Sequence, residues 1–266
     1  MEKKVIVLPV DGYESAEALI RATDKLLSEE GLSDSIAYIK VNDGVHNMDM
    51  GGPAVIALLK NLLEEKKIPV KIFLDLKIFD VSATMVNVLK KYLLFAPEIL
   101  TVSASCSVSG IVKLREILPL TTKLAMVSVL TDISEDECLI RFGMPPALKI
   151  LNDLTGIRKV YRSSIINNLA IKQAEPFDFV ICSPQELLFL KKFLPKGYGC
   201  ITPGIRDEWM KNPQEHQRRI TGVKEALESG ATFVVMGSQM TKGNPLLRVS
   251  AQESRRLTKK QIALAK

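Results

Sequence analysis

The sequence predicts an α/β protein, a single (β/α)8 (TIM) barrel domain over residues 1–266, on three observations. Short runs rich in Val, Ile and Leu recur along the chain, stretches of helical period separate them, and the first strand-to-helix turn lacks the glycines of a nucleotide-binding sheet. The runs are Val5 to Val10, Ala37 to Val41, Val70 to Leu74, Ile99 to Val102, Leu124 to Leu130, Phe177 to Cys182, Gly199 to Ile201 and Thr232 to Met236. Most are apolar nearly throughout, as strands covered on both faces are. Between them Glu14 to Glu29, Pro53 to Glu65, Ala83 to Leu94 and Val108 to Leu118 carry apolar residues three and four apart, the stripe of a covering helix. Eight such strands close into a barrel that leaves no edge. The competing architecture, a doubly wound sheet, usually holds a nucleotide on a glycine-rich first turn, but Asp11-Gly12-Tyr13-Glu14 offers neither GxGxxG nor a P-loop. The stretch from Arg141 to Glu175 is longer than one crossover needs and contains Pro145-Pro146 and Asn167-Asn168, so a helical or protruding insertion is expected around 141–175. No Gly-, Ser- or Pro-rich linker divides the chain.

With 47% hydrophobic and 25% charged residues the chain has the makings of a folded core and is not of disordered composition. Its net charge of +6 could attract polyanions or simply suit a small anionic substrate, and is too mild to decide between them. The basic residues near the C-terminus, Arg255, Arg256, Lys259, Lys260 and Lys266, have no interleaved aromatic side chains and read as a solvated helix face. Cys106, Cys138, Cys182 and Cys200 form no CxxC pair and have few histidines for company, which argues against zinc and for a reducing compartment. Met1-Glu2-Lys3-Lys4 runs straight into a strand too short for a signal sequence, and no apolar run is long enough to span a bilayer. A cytoplasmic protein without membrane or nucleic-acid partners is expected.

In a parallel barrel the C-terminal strand ends open on one mouth, so polar groups there are the first functional candidates. Strand one leads to Asp11, strand two carries Lys40, and strand three runs into Asp75-Leu76-Lys77-Ile78-Phe79-Asp80. Later come Thr131, the turn Thr202-Pro203-Gly204-Ile205-Arg206, and Gly237-Ser238. An extended i, i+2 spacing places Asp75 and Lys77 on one side of their strand, whereas the direction of Asp80 cannot be read from period. Taken alone the cluster fits a salt-bridged rim as well as a reaction site, and four charged groups from three successive strand ends favour the site. Neighbouring carboxylates would hold Lys40 and Lys77 in the charged form. A carboxylate set beside a substrate carboxylate repels it, and a charged lysine can stabilise and protonate the carbanion left when carbon dioxide departs. His46 and His216 read as solvated loop residues, Cys182 as a small core residue, and Trp209 as either a lid or simple packing.

The run Phe73-Leu74-Asp75-Leu76-Lys77-Ile78-Phe79-Asp80-Val81-Ser82-Ala83-Thr84 resembles the DxKxxD signature and following Thr of the orotidine 5'-phosphate decarboxylase family, bacterial type. Asp11, Lys40-Val41, Val127 to Thr131, Val180 to Ser183, the Thr202 to Arg206 turn and His216-Gln217-Arg218-Arg219 resemble further family segments in the same order. The resemblance implies decarboxylation of orotidine 5'-phosphate to UMP, without metal or organic cofactor, in a homodimer. It implies Lys77 as proton donor, Asp75 beside the departing CO2, and Lys40 as charge partner and ribose contact. Asp80 and Thr84 would reach into the partner's site and Asp11 would hold the ribose. Thr131 would lie close to the nucleotide, and Arg206, Gln217 and the Gly237 amide would meet the phosphate.

There are departures from the family pattern. Where the family has an Arg that grips the phosphate after strand eight, this chain has Ser238, followed by Gln239; Ser238 and Gln239 keep hydrogen-bond donors, and Lys242 offers a point charge. Losing a charge-assisted phosphate contact costs roughly 1.5 to 3 kcal/mol, or about ten- to a hundredfold in affinity. Ser82-Ala83 replaces the usual Pro-Asn, Ser103 stands where His is common, and the 141–175 region exceeds the family length. Two other readings stay open: a catalytically weakened or silent barrel relative that binds a nucleotide or a partner, and a magnesium-dependent sugar-phosphate decarboxylase or synthase of the same superfamily.

Overall fold

The computed structural model describes residues 4–29, 32–46, 50–166, 168, 171, 173–210 and 221–265. Eight parallel strands follow one another in chain order around a closed barrel. They are β1 (Ile6–Pro9), β2 (Ile36–Val41), β3 (Lys71–Ile78), β4 (Ile99–Ser103), β5 (Lys123–Val127), β6 (Phe179–Ile181), β7 (Gly199–Thr202) and β8 (Phe233–Val235). The helices are α1 (Ala16–Leu27), α2 (Gly52–Glu65), α3 (Ser82–Lys90), α4 (Val108–Ile117), α5 (Glu135–Phe142), α6 (Pro146–Ser164), α7 (Leu187–Phe193), α8 (Val223–Ser229), α9 (Ser238–Thr241) and α10 (Ala251–Leu264). All eight expected strands are present; β3 runs four residues past Leu74, and β5 stops at Val127, short of Leu130. No helix among the described residues is long and apolar enough to cross a membrane. The chain divides into two compact units.

The first unit comprises residues 1–72, 183–188 and 200–266. Here β1 pairs in parallel with β2 (Leu8 opposite Ile39) and with β8 (Val7 opposite Val235), while β7 pairs with β8 (Ile201 opposite Phe233). Adjacent residues Ile6, Val7 and Leu8 are all fully buried, so both faces of the strand are covered and the apolar run needs no polar alternation. Ser15 caps α1, its hydroxyl accepting from Ala18 N–H at 3.1 Å, and Ser250 caps α10 by accepting from Glu253 N–H at 3.1 Å. The basic face expected on α10 is only partly solvated. Arg256 pairs with Glu253 at the surface, but Arg255 turns inward, pairs with Glu29 and donates to the Met240 carbonyl at 3.0 Å. Lys266 lies outside the described residues.

The second unit comprises residues 73–182 and 189–199. Its strands pair β3 to β4 (Phe73 opposite Ile99), β4 to β5 (Thr101 opposite Ala125) and β5 to β6 (Met126 opposite Val180). Helix α3 approaches α4 so closely at Gly110 that an added Cβ would stand 2.6 Å from Met85 Sδ. Within the 141–175 stretch, Ile150, Leu154, Ile157 and Tyr161 form one buried stripe on α6, which packs against α4. From α6, the Arg158 guanidinium forks onto Glu175 at 2.9 and 3.0 Å, joined by Arg162 at 2.6 Å and the Tyr198 hydroxyl at 2.9 Å. These donors, Arg158 foremost, hold the Glu175 carboxyl down at about 2.

Candidate active site

An ion pair stands at strand ends of the first unit. Asp11 follows β1 by two residues, and its carboxylate accepts from the Lys40 ammonium at 2.9 Å and from Asn42 N–H at 3.0 Å. The strands themselves set this up, because Val10 N–H donates to the Lys40 carbonyl at 3.0 Å and brings the two chain segments into register. Asp43 completes the turn by accepting Gly12 N–H at 2.7 Å. Nothing in the local sequence pattern singled out Asp43. His46 is exposed, in keeping with a solvated reading, and Cys182 of the second unit is fully buried.

The second unit carries the tighter constellation. Asp75 is 7% exposed on β3 and meets the Lys77 ammonium at 2.9 Å. Thr101, fully buried on β4, donates its hydroxyl to the other Asp75 oxygen at 2.8 Å and accepts Lys77 N–H at 2.8 Å. One hydroxyl thus fixes both the carboxylate and the backbone that carries the ammonium. The pairing of Asp75 with Lys77 was expected from extended i, i+2 geometry, but the backbone arrives at it differently. Lys77 has φ +46°, in the left-handed region, and the β3–β4 register shifts between Leu74 and Ile78. A non-glycine residue held there stores on the order of 1 to 3 kcal/mol of strain, which the surrounding bonds must outweigh. Strain of this kind concentrates where a side chain has to be aimed.

The remaining predicted residues fall as follows. Asp80 is exposed and accepts the N–H of its neighbour Val81 at 2.7 Å rather than joining Asp75 and Lys77. Thr84 lies in the first turn of α3, and Thr131 is exposed in a turn beyond β5. Arg206 is half-buried just past β7, its N–H donating to the Thr221 carbonyl at 3.1 Å. Gly237 caps α9 and Ser238 is its exposed first residue. Gln217 and His216 lie outside the described residues. Gln239 departs from its expected phosphate-facing role: it is 1% exposed, with its carboxamide bonded to Asp207 and Thr258. Trp209 is packing, not a lid, since its indole N–H donates to Ser254 Oγ at 3.0 Å and its carbonyl accepts from the Asn244 amide at 3.2 Å.

Sequence reasoning missed Thr101. Its one local signal was a polar residue inside the apolar run Ile99-Leu100-Thr101-Val102. A cavity of about 570 Å³ does occur in the second unit, but it lies at the N-terminal ends of β5 and β6, next to Arg115, Lys123, Glu175 and Asp178. The charges there are already matched, with Asp178 taken by Arg115 at 2.7 Å and Lys123 at 3.2 Å, and Glu175 by the two arginines. Chemistry in such barrels belongs to the opposite, C-terminal face.

Comparisons with known proteins show the family of the chain. The chain is 34% identical over 170 residues to the orotidine 5'-phosphate decarboxylase of Helicobacter pylori (strain J99), a match covering 63% of this chain and 67% of that one. It is 25% identical over 236 residues to the enzyme of that name from Streptococcus gordonii, covering 89% of each. In three dimensions it resembles the crystal structure of orotidine 5'-phosphate decarboxylase from Lactobacillus acidophilus, with a TM-score of 0.66, 23% identity, and coverage of 97% of this chain and 99% of that one. Residues 30–251, from β2 into the first turn of α10, match one family description as a whole, and on that match the chain belongs to the orotidine 5'-phosphate decarboxylase / HUMPS family.

Proposed function

We propose that this chain decarboxylates orotidine 5'-phosphate to UMP, a carboxy-lyase reaction of pyrimidine biosynthesis, with Lys77 as the proton donor. The observation that carries the reading is the Asp75, Lys77 and Thr101 constellation, in which a buried carboxylate is pinned beside an ammonium. Asp75, unable to move away, faces the substrate carboxylate and raises the energy of the ground state relative to a transition state that is losing CO2. The bond from the pyrimidine C6 to the carboxylate breaks and its electron pair stays on C6. The Lys77 ammonium stabilises that pair, then gives C6 a proton, and the resulting amine regains one from solvent. Lys40 and Asp11 hold the ribose, already paired at 2.9 Å.

Arg206, Gln217, the Gly237 amide and Ser238 bind the phosphate, and Thr131 lies beside the nucleotide. Asp80 and Thr84 serve the site of a second copy, so the working form is a homodimer; the exposed position of Asp80, away from Lys77's own partners, supports this. The enzyme works in the cytoplasm, and its four cysteines are buried thiols outside any disulfide, as suits a reducing compartment. The test is to mix purified protein with orotidine 5'-phosphate and follow loss of the orotate chromophore, with Lys77→Ala in parallel. Steady turnover that Lys77→Ala abolishes is expected. No turnover by the native chain at high substrate overturns the reading.

A further inference from the structure

In (β/α)8 enzymes a phosphate site is frequently formed by the loops after strands seven and eight with the start of a short extra helix. Here those parts are the turn from Thr202 to Arg206, then Gly237 and the short α9. The residue following each expected phosphate contact turns inward: Asp207, after Arg206, is 5% exposed, and Gln239, after Ser238, is 1% exposed. They are bonded to each other. Gln239 Oε1 accepts Asp207 N–H at 2.9 Å, and Gln239 Nε2 donates both to the Asp207 carboxylate and to Thr258 Oγ1, the latter at 2.8 Å. The second Asp207 oxygen accepts Val223 N–H at 3.0 Å, at the start of α8, and the Thr258 hydroxyl donates to the Ser254 carbonyl at 2.9 Å. Gly222 leaves the room this needs, since a Cβ there would stand 2.7 Å from Asp207 Oδ1.

Every polar atom of the Gln239 side chain is therefore engaged, and the bonds tie the backbone next to Arg206 to α8, α9 and α10. A buried carboxyl is an expensive way to fill space; burial pushes the Asp207 pKa up, and an apolar pair of the same volume would be as stable or more so. What the polar pair adds is direction, because hydrogen bonds fix two loops in one relative placement where apolar contacts would let them slide.

We infer that Gln239 is a positioning residue for phosphate binding: by holding Asp207 it sets Arg206 against the Gly237–Ser238 turn, compensating by rigidity for the absence of an arginine at position 238. The inference rests on the decarboxylase reading above. The test compares kcat/KM for orotidine 5'-phosphate with kcat/KM for orotidine, which lacks the phosphate, in the native chain and in Gln239→Met, a substitution that keeps length and removes the hydrogen bonds. Misplacing the turn is expected to cost Gln239→Met on the order of 10- to 100-fold with the phosphorylated substrate. Turnover of orotidine should be unchanged, and the preference for binding UMP over uridine should fall alongside. Thr258→Val removes one of the bonds and is expected to show the same selective loss at smaller size; it serves as the sole variant if Gln239→Met does not fold. Equal losses on both substrates, or no loss on either, overturn the inference while native turnover upholds the decarboxylase reading. A native chain that turns over neither substrate refutes that reading, and the inference with it.

Discussion

Replacing Thr101 with Val removes a single hydroxyl while keeping the shape of a fully buried side chain, so no cavity opens and the effect reports on hydrogen bonds. That hydroxyl makes two bonds of 2.8 Å, one to the ionised Asp75 and one from the backbone of Lys77. A bond to a charged group contributes about 1.5 to 3 kcal/mol and an ordinary one about 0.5 to 1.5, so the variant should lose about 2 to 4 kcal/mol of stability. For a chain of this size that corresponds to a fall in Tm of roughly 4 to 16 °C. The effect on catalysis should be disproportionate, because the same bond offsets the strain of the left-handed Lys77 backbone. Once it is gone, Lys77 relaxes toward an extended conformation and its ammonium swings from Asp75; a displacement of about 1 Å can cost on the order of 100-fold in rate. Thermal melts and the orotate absorbance assay, run on the same preparation below the variant's Tm, separate the two effects. Native kcat in a destabilised Thr101→Val would show that the hydroxyl is structural and that Lys77 is aimed by something else. An unchanged Tm would show that the bonds are absent in solution.

Other outcomes are expected from the same geometry. Ser238→Arg should restore a guanidinium to the phosphate turn and raise kcat/KM by about ten- to a hundredfold, whereas an unchanged value would mean that another group already serves. Turnover should be the same in EDTA as without it, and chelator sensitivity would favour the magnesium-dependent branch of the family. Lys77→Ala and Asp80→Ala should each be inactive as pure homodimers, yet regain activity when subunits are exchanged, since a mixed dimer holds one intact site; a mixture that stays dead argues against Asp80 acting across an interface. Glu175, held near 2 against an ordinary 4.5, lends stability that is complete above pH 4.5 and disappears as pH falls toward 2. In Glu175→Gln the urea midpoint should fall less steeply across that acid range than in the native chain, and parallel curves would mean that the arginine fork contributes nothing.

The architecture was legible because a barrel strand writes its environment into its composition. Residues such as Ile6, Val7 and Leu8 are adjacent, all apolar and all fully buried, a pattern that only a strand covered on both faces needs. Strand ends were less legible: β3 continues through Asp75 and Lys77 to Ile78, past the apolar run that ends at Leu74, because Thr101 on the next strand satisfies the polar groups there. The inward turn of Arg255 was likewise hidden, since its partners, Glu29 and the Met240 carbonyl, come from other segments of the chain.

The order of the charged residues along the chain determined by itself which strands could carry chemistry and which family the chain resembles. Their function as a set depended on contacts between residues far apart in sequence. Asp75 and Lys77 meet through a left-handed residue braced by a hydroxyl 24 positions beyond Lys77. Gln239 faces Asp207 because a partner 32 positions upstream satisfies its carboxamide. Local periodicity records which way a residue points along an ideal strand or helix; where that ideal is broken, as at Lys77 and at the start of α9, direction is decided by whichever distant group satisfies the buried polar atoms.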